Sequence, residues 1–184
     1  MRLEELLRQK KSTILDRWFD VIVETYPAET RRFLKELKNR FANPVAHEIS
    51  RGIEGIFEQL LKGGELEDAS SFLDKVIRIR AVQEFAPSSA VAFVLDLKRV
   101  IRKEMASESQ SALIPDELAE FESRIDRLAL LAFDMYVRCR EQIYELRVKE
   151  VKKRVGRLLE RANLICNVSE PENSLEDINN RSLT

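Results

Sequence analysis

One histidine, two cysteines, five glycines and five prolines are spread over 184 residues, and each scarcity closes off a class of protein. So few glycines and prolines cannot supply the turns of an all-β chain. A single histidine, His47, with no CxxC pair anywhere, offers neither a zinc cluster nor a Ser–His–Asp relay. Cys139 and Cys166 lie 27 residues apart in one helical pattern. On a continuous helix that spacing is roughly 40 Å, so the pair reads as free thiols in a reducing compartment. No apolar run reaches the length of a membrane span, and "MRLEELLRQKKS" has no signal-peptide core, so the expected location is cytoplasmic. A net charge of −1 gives no electrostatic reason for nucleic acid as a partner. No glycine-rich phosphate loop and no nucleophile beside a base is present, and the chain is expected not to be an enzyme.

What the chain does have is helical periodicity almost throughout, which predicts an all-α fold. Leu3, Leu6, Leu7, Ile14, Leu15, Trp18, Phe19, Ile22 and Val23 recur at three-and-four spacing until Pro27. A short helix follows in "ETRRFLKELK", with Phe33 and Leu37 on one face. Asn43 is an N-cap type and Pro44 fits the first helical position, so a third helix starts there. It carries Val45, Ile49, Ile53, Phe57, Leu60 and Leu61 inward and stops at Gly63-Gly64. A fourth helix is expected over 67–83, a fifth after "APSSAV", and a last one from Pro115 to about Ile165. The tail after residue 166 is acidic and poor in apolar residues, which predicts disorder.

The last helix changes its apolar seam part-way. Leu118, Phe121, Ile125, Leu128, Ala132, Met135 and Cys139 make one series; Val148, Val151, Val155, Leu158, Ala162 and Ile165 make another. The first series can pack on the bundle of residues 1–145. The second, on an exit helix over 146–166, finds its burial in a parallel two-stranded coil, with a bend near 142–147 as the competing explanation. Seven basic and three acidic residues lie between Glu145 and Arg161. That mixture reads as a solvated coil flank, with nucleic acid or an acidic membrane surface as the other reading.

Two polar side chains stand out as ligand candidates. His47 falls in the first turn of its helix, where it either fixes the helix start, touches a ligand, or ligates a metal or haem. Arg80 shares a face with Leu73, Val76 and Ile77, so its guanidinium is expected at the core edge. There it forms an internal ion pair, reaches water along its stem, or holds an anion. Gln83 and Ser88–Ser89 flank the same corner.

Three blocks, "ILDRWFDVIVETYP", "FLKELKNRFANPVAHEISRGIEGIFEQLL" and "LDKVIRIRAVQEFAPSSAVAFVLDLKRVIR", together resemble the RsbRD amino-terminal domain over roughly residues 12–145. This is the sensor-like module of stressosome co-antagonists, also fused to some histidine kinases. The resemblance implies a globin-like helical bundle that binds no haem, needs no other cofactor, dimerises, and hands its signal to an effector through the last helix. It also implies a fatty-acyl or small-anion ligand where a haem would sit; the bundle residues Phe41, Phe72, Phe93 and Met135 are expected to line that pocket, with His47, Arg80 and Gln83 as further candidate contacts. Unlike multidomain members, the sequence carries no STAS or kinase domain after the exit helix, so docking to a signalling protein partner is the expected output. The rival reading is a structural adaptor that presents the coil and senses nothing.

Overall fold

Asn43 shows how local chemistry starts an element. Its side-chain Oδ1 accepts the Ala46 N–H at 3.0 Å, which caps a helix whose first residue is Pro44. Its Nδ2 donates to the Phe33 carbonyl at 3.0 Å, so the same amide also covers the end of the preceding helix. The computed structural model describes residues 3–36, 43–106 and 115–162. In chain order these form α1 (Leu3–Gln9), α2 (Lys11–Glu24), α3 (Ala28–Glu36) and α4 (Pro44–Lys62). A 3₁₀ turn (Leu66–Ala69) then leads into α5 (Ser70–Val82), α6 (Pro87–Ala106) and α7 (Pro115–Arg161). The fold is an all-α bundle ending in a long helix, with no strand among the described residues.

The chain divides into two units, Met1–Tyr144 and Glu145–Thr184. In the first, Leu7, Ile14, Trp18, Phe57, Phe93, Ile101 and Ile125 are wholly buried. The most extensive packing is α4 on α5, followed by α2 on α6. Of α7, the seam residues Phe121, Ile125, Leu128 and Ala132 are buried, Leu118, Met135 and Cys139 are partly buried, and Tyr136, outside that series, is buried as well. In the second unit, Val148, Val151, Val155 and Leu158 are all exposed. The helix runs unbroken through residues 142–147.

Some boundaries differ from the sequence reading. The amino-terminal run is two helices, since the chain turns at Lys10. In α3 the buried residue is Leu34, and Phe33 is about half exposed; Leu37 lies outside the described residues. The helix expected over 67–83 begins with the 3₁₀ turn and becomes α-helical at Ser70. Phe41, Ile165, Cys166 and the tail 167–184 also lie outside the described residues.

The α4–α5 pairing depends on two residues without side chains. A Cβ on Gly52 would stand 2.4 Å from Val76 Cγ2 and 3.2 Å from the Phe72 carbonyl oxygen. A Cβ on Gly55 would stand 2.2 Å from the Phe72 ring. Gly52→Ala therefore gains helix propensity of about 1 kcal/mol but forces the helices apart at a cost of about 1–3 kcal/mol. We expect a net loss of stability, read as a lower melting temperature by circular dichroism. Gly156→Ala, where nothing lies within 4 Å, should instead increase helix content. A Gly52→Ala protein that melts at or above the wild type would refute the packing argument.

Candidate functional site

Leu73, Val76 and Ile77 turn inward from α5 by three-and-four steps, and the same periodicity carries Arg80 in with them. Arg80 is fully buried, at 0% exposure. Its Nη2 donates to Thr25 Oγ1 at 3.1 Å, just past α2, and to the Ser89 carbonyl at 2.9 Å in the first turn of α6. The Thr25 hydroxyl proton is given to the Ile22 carbonyl at 2.6 Å, which leaves its oxygen free to accept from the guanidinium.

Three aromatic rings surround the charge. The guanidinium carbon lies 4.2 Å from the Phe85 ring centroid, 5.6 Å from Phe93 and 5.7 Å from Tyr26. These distances allow cation–π attraction. Trp18 stacks on Phe93 and donates its indole N–H to the Phe93 carbonyl at 2.7 Å. Tyr26 meets Phe85 edge-on and donates its hydroxyl to Gln83 Oε1 at 2.9 Å. Arg80 Nε and Nη1, by contrast, have no hydrogen-bond partner among the described residues. Burial lowers the Arg80 pKa from the ordinary guanidinium range, with the nearby Tyr26 opposing it. Burial raises the Tyr26 phenol, and the Arg80 charge opposes that shift in turn.

The corner between α5 and α6 aims Phe85 at this charge. Glu84 takes φ of 61°, the left-handed conformation that usually belongs to glycine. With it, the Glu84 N–H reaches the Ala81 carbonyl and the Phe85 N–H reaches the Arg80 carbonyl, each at 3.2 Å. This is a helix-ending Schellman arrangement with glutamate in the glycine position. Two side chains of α7 hold the corner from outside. Tyr136 donates its hydroxyl to the Phe85 carbonyl, and Arg140 Nη1 donates to the Ala81 carbonyl at 2.9 Å. Beside them lies an open cleft of about 410 Å³ lined by Phe85, Pro87, Tyr136, Arg140 and Tyr144.

Of the residues singled out in the sequence, the structure brings Arg80, Ser89 and Phe93 together, with Gln83 joined to them through the Tyr26 hydroxyl. Phe72 packs over Gly55, Met135 is half-buried against the core, and neither is among the groups that touch the guanidinium. His47 is half-buried in the first turn of α4 and lines a different cleft, with Asp16, Phe19, Lys35 and Glu54. Sequence reasoning missed Thr25, Tyr26 and Phe85 as neighbours of Arg80, and Trp18 behind Phe93. A faint signal existed, since Tyr26 and Phe85 each stand within two residues before a proline. Among the described residues no group of three His, Cys, Asp or Glu side chains is placed to hold a metal, and no helix is long and apolar enough to cross a membrane.

The family model described as the RsbT co-antagonist protein rsbRD N-terminal domain matches residues 12–151. That span contains every residue around Arg80 named above. An uncharacterized protein of Archaeoglobus fulgidus is 24% identical over 145 residues, covering 76% of this chain and 83% of that protein. No solved structure matches the chain significantly.

A buried charge without a carboxylate costs stability that a shape-matched apolar side chain would not. Arg80→Met should therefore leave stability unchanged or raise it, while Arg80→Ala, which opens a cavity, should lose about 2–4 kcal/mol. Urea unfolding of both variants checks this. If Arg80→Met falls as far as Arg80→Ala, the bonds to Thr25 and Ser89 outweigh the cost of burying the charge.

Proposed function

Because the chain belongs to the RsbT co-antagonist protein rsbRD N-terminal domain family, we propose that it is a non-enzymatic sensory and signalling domain of the cytoplasm. It works as a homodimer, receives a small apolar or anionic ligand in a haem-less, globin-like bundle, and relays occupancy through α7 to a signalling protein partner. The observation that carries this reading is the exposed apolar series on α7 in the second unit. Val148, Val151, Val155 and Leu158 are 46–63% exposed yet spaced by threes and fours, a pattern that a surface helix with no partner does not need.

In heptad terms Val148 and Val155 fall at a positions, with Val151 and Leu158 at d. β-Branched a positions favour two strands over three or four. Beside this seam Arg147, Arg154 and Arg161 occupy g and Lys152 occupies e, with Leu159 at the following e position. In a parallel pair, Arg147 of one copy would face Lys152 of the other, which is repulsive. Apolar burial then holds the pair together and charge weakens it.

The α5–α6 corner supports the relay half. Tyr136 and Arg140 grip backbone carbonyls on either side of the residue that faces Arg80, so a shift of this corner pulls directly on α7. A conformational signal needs such a physical link, because a ligand shifts an equilibrium only through contacts that differ between two states.

Light scattering coupled to size-exclusion chromatography tests the dimer. The wild-type chain should self-associate, and the double substitution Val151→Asp with Val155→Asp should weaken association at least about a hundredfold by burying unpaired carboxylates. Added salt should strengthen the wild-type dimer by screening the basic flanks. A wild-type chain that stays monomeric at every accessible concentration would remove the dimeric relay.

A further inference from the structure

We propose that Arg80 anchors a binding site for a small monocarboxylate bearing a short aliphatic or aromatic group, and that Phe85 is the lid over it. This deepens the sensory reading above and rests on it.

Three observations converge on that chemistry. Arg80 is fully buried, its Nε and Nη1 make no hydrogen bond among the described residues, and the carboxylate that acts on it, Asp96, does so without forming an ion pair. Buried polar groups are nearly always satisfied, so two open donors on one cation mark a place where an acceptor belongs. A carboxylate satisfies a donor and also cancels the charge, which a neutral acceptor does not.

The walls decide what the carboxylate is attached to. The faces nearest the guanidinium are the rings of Phe85, Phe93 and Tyr26. An oxyanion with oxygens on every side would press some of them against ring carbon unsatisfied. A monocarboxylate puts its two oxygens at the cation and its apolar remainder against Phe93 and Tyr26, in the space that Phe85 vacates.

Access runs past Phe85. This ring is partly exposed, sits nearest the charge, and also lines the open cleft of about 410 Å³. The residue before it, Glu84, holds a left-handed φ that an L side chain adopts only under strain. Relaxing Glu84 swings Phe85 away from the guanidinium and opens the donors to the cleft. Because Tyr136 holds the Phe85 carbonyl, the position of the lid is felt on α7.

Trp18 is a built-in reporter. It is the only tryptophan, wholly buried, and stacked on Phe93, whose ring also faces Arg80. The full chain, dialysed free of carboxylates, is titrated with sodium acetate, butyrate and benzoate, and with sodium chloride at matched ionic strength. A saturable change in Trp18 emission with butyrate or benzoate, and none with chloride, is the expected result. Arg80→Met, checked for folding by circular dichroism, should abolish the saturable change. Phe85→Ala keeps the anchor and removes the lid, so it should bind about tenfold tighter. The site is overturned if the wild type gives no saturable response to any carboxylate, if chloride reproduces the response, or if Arg80→Met retains it. Unchanged or weaker binding by Phe85→Ala overturns the lid. A stable dimer with flat carboxylate titrations defeats this site alone, whereas a carboxylate response in a strict monomer defeats the dimeric relay and leaves the site standing.

Discussion

A buried positive charge with no ion-pair partner among the described residues fixes the geometry where α2, α5 and α6 meet. Removing a guanidinium from water costs several kcal/mol even after relaxation, and this chain offsets the cost with ring faces, one hydroxyl and one carbonyl. Each compensating group comes from a different stretch: Tyr26 and Thr25 after α2, Phe85 from the corner, Ser89 and Phe93 from α6. Displacing any one of these elements leaves the charge less well covered. The arrangement therefore specifies how three elements sit together more sharply than apolar packing, which tolerates sliding, would do.

That dependence explains how far the sequence could be read. Helix starts and stops were legible where one residue decides them, as at Asn43-Pro44 and at Gly63, whose φ of 68° closes α4. The two apolar seams of α7 were legible because a helical period is a one-dimensional signal. So was the burial of Arg80, which follows from its register with Val76 and Ile77. Its surroundings were not legible, because Thr25 and Tyr26 lie more than fifty residues earlier in the chain. The left-handed Glu84 was hidden for another reason: it occupies a position where glycine would have announced the turn. Gln83 and Ser89 were singled out only because they flank the same corner, and Phe93 only as a residue expected to line a pocket in the bundle.

The long final helix contributes to two environments, one in each unit. Up to Tyr136 its inward face is buried core, and beyond Glu145 its apolar residues face solvent. Local stability should differ accordingly, since residues with few buried contacts open more readily than those in a packed core. Leu130 and Phe133 add exposed apolar area on the earlier stretch, so even the well-packed half of α7 keeps an apolar outer face.

The amide of Asn43 has a chemical consequence as well as a mechanical one. Asparagine side chains age by attack of the following backbone nitrogen, which closes a ring and ends in a carboxylate. Here the following residue is Pro44, which has no backbone N–H to start that reaction. The conversion would be costly at this position, because a carboxylate oxygen would replace Nδ2 and face the carbonyls of Phe33 and Leu34 with no proton to offer. The proline that opens α4 thus also protects, over the lifetime of the molecule, the side chain that joins two helix ends.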